Sequence, residues 1–197
     1  MPYFLSVVQA LNMKTSVYRI TALFVFLTVP LWIFSHPLSV FPQEEPNTWE
    51  VYFSPNGGCT DAIVRELDKA QVTVLVQAYS FTSYRIAEAL LDAHKRGVKV
   101  EVILDKSQRT DQYSSADFLS NSGIPTKIDG ALAVAYNKVM IIDGEIVVMG
   151  SFNFTKSPEE INAENLLVIH DWKLAERCTM NWKEHEGDSE VYMGKGR

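Results

Sequence analysis

Two apolar runs on either side of Asp143-Gly144 constrain the fold of this chain more than any other stretch. The runs cover residues 139–142 and 146–149, and both are rich in β-branched side chains. An Asp-Gly pair between such runs is a strong signal for a tight β-hairpin, because both residues tolerate the backbone conformation that the turn requires. The sequence therefore predicts two antiparallel strands joined at this point.

Polar side chains stand at both outer ends of the predicted hairpin. Alternate residues of a strand share a face, so Tyr136 and Lys138 are predicted to point the same way, as are Ser151 and Asn153. An ammonium attracts phosphate as a point charge, and hydroxyl and carboxamide groups donate hydrogen bonds to its oxygens. The hairpin therefore predicts a phosphate-binding surface.

The rest of the chain alternates between strand and helix patterns. Residues 72–79 and 98–104 are predicted strands, and the amphipathic stretch 83–95 between them is a predicted helix. Such a unit favours a parallel strand pair with a crossover helix. We therefore predict an α/β fold with a mixed, largely parallel sheet and helices on both faces.

The first 41 residues have the pattern of an export signal or a membrane anchor. Lys14 and Arg19 precede an apolar stretch over residues 20–34, which has the size of a signal-peptide core. Met13 stands just before the basic residues, so translation is predicted to start there. These features predict a periplasmic or secreted protein, or one anchored in the membrane and facing away from the cytoplasm.

The remaining residues divide into three parts. Residues 42–48 form a short polar linker, residues 49–187 a single predicted domain, and residues 188–197 a predicted frayed tail. The net charge of −6 argues against a protein that coats a nucleic acid through many lysine and arginine contacts. Contact with a polyanion is therefore expected through one local cationic pocket.

Cys59 and Cys178 are the two cysteines of the chain. They lack the spacing of a metal site, and whether they pair in a disulfide or stay as free thiols is left open by the sequence.

The central stretch resembles the signature of the phospholipase D superfamily. That signature runs H-x-K-x-x-x-x-D and, six residues later, G-S-x-N. This chain matches it with Lys138, Asp143, Gly150, Ser151 and Asn153, and has Tyr136 where the family has histidine. The resemblance is greatest to the small bacterial endonucleases that carry a single motif per chain, and it extends from about Val51 to about Trp182.

The resemblance implies a mechanism and a role for each matched residue. Family members attack phosphorus with the motif histidine and use a second histidine as general acid and base, without a metal or other cofactor. Lys138, Ser151 and Asn153 are then expected to bind phosphate, and Glu164 to orient the residue at position 136. Asp143 and Gly150 are expected to be structural.

Single-motif members obtain the second histidine from a twofold-related subunit, so the resemblance also implies a homodimer with the active site at its interface. In a symmetric dimer, Tyr136 would remove both histidines together, and phenols are mostly protonated at neutral pH.

Three functions remain open on the sequence alone. The first is a metal-independent endonuclease of phospholipase D type, a hydrolase of phosphodiester bonds with Tyr136 in the nucleophile's place. The second is a phospholipase D that acts on phospholipids. The third is a protein without catalysis. It would either keep Lys138, Ser151 and Asn153 to bind phosphate or nucleic acid, or be an interaction domain that uses only the fold and is tethered to the membrane through the N-terminal segment.

Overall fold

The computed structural model describes residues 48–195, which lie within one compact unit, Pro46–Arg197. The predicted leader over residues 1–41 and nearly all of the predicted linker 42–48 fall outside the described residues. Among residues 48–195, no helix combines the length and apolar character needed to cross a membrane.

The strand–helix–strand unit and the hairpin lie where the sequence predicts them, with small differences in their bounds. The eight strands are β1 (Thr48–Phe53), β2 (Thr73–Ala78), β3 (Lys99–Asp105), β4 (Thr126–Asp129), β5 (Lys138–Ile142), β6 (Ile146–Gly150), β7 (Asn165–His170) and β8 (Glu190–Val191). The helices are α1 (Cys59–Lys69), α2 (Tyr84–Lys95), α3 (Ala116–Asn121), α4 (Lys156–Glu160) and α5 (Trp172–Asp188), with one turn of 3₁₀-helix at Lys106–Arg109.

All eight strands form one sheet in the order β1-β7-β6-β5-β2-β3-β4-β8. The mixed α/β class is confirmed, and β2 and β3 are parallel as the strand–helix–strand unit predicts. The sheet is mostly antiparallel, however, and not largely parallel as we predicted. Only β2/β3 and β3/β4 are parallel pairs. The physical reason is that a tight turn forces β5 and β6 to run in opposite directions, and β7 and β1 continue that alternation.

The predicted hairpin is confirmed in detail. Glu145 N–H donates to Ile142 O at 3.0 Å, which closes the turn around Asp143 and Gly144. Both central residues have positive φ, 55° at Asp143 and 69° at Gly144, as this kind of turn requires. The turn thereby fixes the register of the two strands that carry the polar residues.

Helices cover both faces of the sheet, as predicted. In β5, Met140 and Ile142 join the core beneath α1, α2 and α3, whereas Ile141 joins a smaller cluster beneath α5. Trp182 of α5 is 3% exposed, and its indole N–H donates to Val76 O at 3.0 Å. Because β5 and β2 are packed on both faces, the central strands provide a rigid base for the groups at their ends.

The end of the chain differs from the predicted frayed tail over residues 188–197. Helix α5 continues to Asp188, and β8 then pairs with β4. Tyr192 is 7% exposed, and its hydroxyl donates to Asp117 Oδ1 at 2.7 Å. A strand of two residues is too short for a periodic signal, so the sequence pattern does not predict this anchor.

Candidate functional site

The predicted phosphate-binding residues meet at one end of the sheet. This end holds the start of β5, the ends of β2 and β6, and the start of β7. Just beyond the last paired residues of β2 and β5, Tyr79 N–H donates to Asn137 O at 2.7 Å. Residues from four neighbouring strands therefore converge on the segment that carries Tyr136 and Lys138.

Lys138 is the cationic group of this site. It is half-buried at the first position of β5, and its ammonium donates to Tyr136 O at 2.8 Å. Burial lowers the pKa of Lys138, because the charged form loses solvent, and the negative charge of Glu164 partly offsets this effect. A partly desolvated ammonium of this kind attracts an anion more strongly than a fully solvated lysine does.

Tyr136 stands just before β5 and not within it. The side chain is 65% exposed, and its ring centroid lies 4.8 Å from that of Tyr79, with the two planes at 45°. The ammonium of Lys138 lies 5.4 Å from the Tyr79 centroid and 5.8 Å from the Tyr136 centroid. Tyr136 and Lys138 are thus brought together as predicted, although only Lys138 belongs to a strand.

The segment before β5 is held by groups that sequence reasoning missed. Asp105, which is 3% exposed at the end of β3, accepts from Ala135 N–H at 2.8 Å. Lys106 donates to Leu132 O at 3.0 Å. Burial alone would raise the pKa of Asp105, but hydrogen bonds from Ala135 and Ser107 outweigh it and lower the pKa. The charged Asp105 therefore fixes the backbone one residue before Tyr136.

Gly150 permits a close approach between β6 and β7. A Cβ at this position would lie 2.2 Å from Asn165 O, so any side chain would push the two strands apart. Ser151 N–H donates to that same oxygen at 3.1 Å. The Ser151 hydroxyl accepts from Asn165 N–H and donates to Asn165 Oδ1, both at 3.1 Å. In this arrangement Ser151 links two strands, and to donate to a phosphate it would have to release Asn165 Oδ1.

Asn153 has unused hydrogen-bonding capacity. Its Oδ1 is buried and finds no hydrogen-bond partner among the residues that the structure describes. Most buried polar atoms of folded proteins are paired, so this orphan acceptor is unusual. A phosphate oxygen would have to bind the amide N–H groups of Asn153, because Oδ1 can only accept.

Glu164 lies immediately before β7, where Ser54 fixes its backbone. Glu164 N–H donates to Ser54 Oγ at 3.1 Å, and Ser54 N–H donates to Glu164 O at 3.0 Å. The carboxylate is close enough to influence the pKa of Lys138. Ser54 had no signal of its own in the sequence, because its partners lie more than a hundred residues away.

The three histidines of the described chain lie away from this constellation. His170 is the last residue of β7 and lies at the opposite end of the strands from the site, and His94 belongs to α2. His185 Nδ1 is 2.8 Å from Asp129 Oδ2. Within residues 48–195, no histidine therefore takes the place of the one missing at position 136.

Both cysteines are free thiols. Cys59 is fully buried, and burial together with the charge of Glu159 raises its pKa to about 11. Burial also raises the pKa of Cys178. Neither thiol is therefore primed for nucleophilic chemistry.

Comparison with known proteins agrees with this fold. The family model described as "Cardiolipin synthase, PLD-like domain" matches residues 63–185. A protein named "Phospholipase D" from Rickettsia typhi is 40% identical over 141 residues, which cover 72% of this chain and 69% of the relative. Its counterpart from Rickettsia prowazekii is 43% identical over 130 residues, 66% of this chain and 63% of the relative. The chain thus spans about two thirds of these relatives.

A solved structure of a phospholipase D family member has the same fold as this chain. The phospholipase D family member Nuc from Salmonella typhimurium superposes with a TM-score of 0.72 at 36% identity. The match covers 74% of this chain and 98% of Nuc. This chain belongs to the phospholipase D-like family of phosphodiesterases.

Proposed function

We propose that the chain binds single-stranded nucleic acid at the start of β5 and is a phospholipase D-type endonuclease whose turnover is limited by Tyr136. The observation that carries this proposal is the half-buried ammonium of Lys138, placed beside Glu164 and next to an exposed residue at the nucleophile position. Lys138 and Asn153 are the groups that would hold the phosphate oxygens.

A cleft beside the G-S-x-N segment favours a polymeric substrate over a phospholipid. Its volume is about 290 Å³, and Arg85 and Lys156 line it together with the hydroxyls of Thr60, Thr82 and Ser83. Glu159 and Glu160 line it too, and hydrogen bonds from Gly58 N–H and Thr60 N–H satisfy the Glu159 carboxylate. The two cations are themselves paired, Arg85 with Asp61 at 2.7 Å and Lys156 with Glu160 at 3.4 Å, so the cleft offers a polymer space and hydroxyl groups and not free positive charge. Thr82 and Ser83 N–H both donate to Phe154 O, one residue from Asn153, so the cleft adjoins the G-S-x-N segment.

Position 136 decides whether bound phosphodiester is cleaved. In Tyr136→His, each subunit of a dimer would supply one histidine, one to attack phosphorus and one to protonate the leaving oxygen. We expect metal-independent hydrolysis of a chromogenic phosphodiester to rise by at least ~10²-fold, the low end of one general acid–base contribution. Lys138→Ala in the same background should abolish the gain.

Equal activity in the parent and in Tyr136→His would show that the tyrosine is already competent. Absence of activity in both, with oligonucleotide binding retained, would favour the second candidate, a binding protein without turnover. The specific observation for that candidate is that His94, His170 and His185 all lie elsewhere in the described chain.

We further propose a homodimer formed by the α5-covered face of the sheet along its edge strand β1, with Phe53 at the end that carries the site. Phe53 and Trp49 of the edge strand β1 are 65% and 67% exposed. They alternate with Tyr52, which packs on the opposite core, and therefore lie on this face. Large exposed apolar side chains on one sheet face suit a second copy of the chain.

Phe53→Glu should therefore shift the protein from dimer to monomer in light scattering at micromolar concentration. Val72→Glu is the matched control, because Val72 is 63% exposed at the opposite end of the sheet. A monomeric parent would contradict the dimer.

The proposed location outside the cytoplasm is supported by the apolar stretch 20–34 that follows Lys14 and Arg19. Fractionation of expressing cells tests it, and a full-length cytoplasmic product would reject it.

A further inference from the structure

We propose that Tyr136, backed by Tyr79, is a stacking subsite for a nucleobase next to the phosphate held by Lys138. The proposal rests on the proposed function and names what the site recognises beyond the phosphate: the base of a single-stranded nucleic acid. On this view, the residue that replaces the nucleophile acts through its ring.

The two rings form a supported platform. Tyr79 is half-buried and lies against Tyr136 at 4.8 Å between centroids, while Tyr136 remains 65% exposed. One part of the Tyr136 ring is therefore in contact with protein and the rest faces solvent. Among the described residues, no hydrogen bond is formed by the Tyr136 hydroxyl, so its ring makes the contacts that place this side chain.

The backbone on both sides of Tyr136 is fixed before any ligand arrives. Ala135 N–H donates to the buried Asp105 carboxylate at 2.8 Å, and Asn137 O accepts from Tyr79 N–H at 2.7 Å. The ammonium of Lys138 donates to Tyr136 O at 2.8 Å. A ring that is exposed but held in place loses little conformational freedom when a base stacks on it.

The spacing of cation and ring suits one nucleotide. The ammonium of Lys138 lies 5.8 Å from the centre of the Tyr136 ring. A phosphate bound to that ammonium would hold its own nucleotide within reach of the ring. Single-strand binding proteins use the same pairing, a cationic groove for the backbone and aromatic rings for the bases. A phospholipid offers a phosphodiester without a base that could stack on the platform.

The test measures binding, so it does not depend on turnover. A fluorescently labelled oligothymidylate and an abasic oligonucleotide of the same length are titrated with the full chain, and electrophoresis checks that both remain intact. Tyr136→Leu should weaken oligothymidylate binding by roughly 5- to 150-fold, the usual effect of removing one stacking partner. It should leave abasic binding unchanged, and Tyr136→Phe should bind like the parent.

Trp172→Leu is the matched control, because Trp172 is 51% exposed just beyond the opposite end of β7 and should not affect either probe. If Tyr136→Leu binds both probes like the parent while Lys138→Ala loses both, the stacking proposal fails and the proposed phosphate site stands. If Tyr136→Phe loses affinity as Tyr136→Leu does, the hydroxyl acts instead of the ring and the stacking proposal again fails. If the parent binds neither oligonucleotide but binds phosphatidylglycerol vesicles, both the stacking subsite and the nucleic-acid function are overturned.

Discussion

Replacement of Asp143 should destabilise the fold more than its partly exposed position suggests. The carboxylate accepts three backbone hydrogen bonds from the residues that lead into β2: Val72 N–H at 2.7 Å and Thr73 N–H at 2.9 Å donate to Oδ1, and Gln71 N–H at 2.9 Å donates to Oδ2. Asp143 N–H returns a bond to Thr73 O at 2.8 Å. The turn of the hairpin is thereby tied to the central strand of the sheet.

The size of the effect follows from these contacts. Each hydrogen bond contributes about 0.5–1.5 kcal/mol net to stability. The lower half of this range applies here, because Gln71 and Val72 are exposed and water can accept from their N–H groups when the carboxylate is removed. Alanine at φ 55° adds about 1 kcal/mol, since it lacks the tolerance of aspartate for this conformation. Asp143→Ala should therefore cost about 3 kcal/mol in the free energy of unfolding. Asp143→Asn should cost about 1–2 kcal/mol, because the amide oxygen can still accept two bonds.

Urea denaturation at one fixed protein concentration measures both values, because a dimer would make stability depend on concentration. Glu145→Ala is the control: Glu145 is an exposed residue of the same turn, and its loss should change stability by less than about 0.5 kcal/mol. If Asp143→Ala is no more costly than Glu145→Ala, the three hydrogen bonds do not stabilise the fold. If Asp143→Asn costs as much as Asp143→Ala, the positive φ and the bonds retained by the amide oxygen do not contribute to the free energy of unfolding as assigned above.

Two further predictions concern titratable groups. Binding of the abasic oligonucleotide by the parent should weaken with rising pH below the ordinary lysine pKa of about 10.4, because phosphate binding needs the ammonium and burial lowers the pKa of Lys138. Lys138→Arg should move this pH-dependent loss to higher pH. Identical pH profiles for the two proteins would contradict the assignment of the loss to deprotonation of Lys138. Folding lowers the pKa of Asp105, so the ionised carboxylate stabilises the fold at pH values above its unfolded-state pKa of about 3.9. This stabilisation is lost as the pH falls through the lower pKa of the folded state. The difference in Tm between the parent and Asp105→Asn should therefore shrink below a pH of about 4. A difference that grows below this pH would contradict a stabilising role for the ionised carboxylate.

The sequence predicts the hairpin well because its signals are local. The Asp143-Gly144 pair adopts the two positive φ angles that the turn needs, and the alternation on either side fixes which residues face the helices. The parallel β2/β3 pair is predicted for the same reason, because a helix of suitable length separates two buried strands. Periodicity does not encode the direction of strands that are far apart in the chain, and the predominantly antiparallel sheet was missed for that reason.

The residues that position the site could not be found from patterns along the chain. Asp105 contacts a residue 30 positions away, and Ser54 contacts Glu164 at a separation of 110. An aspartate at the end of a strand and a serine before a proline are ordinary turn residues when read locally. Their roles follow only when the sheet brings the ends of β1, β3, β5 and β7 together.

The structure separates the motif residues that serve the fold from those that report on chemistry. Asp143 ties the turn to β2, Gly150 allows β6 to approach β7, and Ser151 joins the same two strands through Asn165. These contacts would be needed whether or not a phosphodiester is cleaved, so their presence at the family spacing is evidence for the fold alone. Lys138 is different. Its half-buried ammonium carries a desolvation cost and donates to a single carbonyl oxygen, and a bound phosphate would offset that cost. The proposed phosphate binding therefore rests on Lys138, and the proposed turnover rests on position 136.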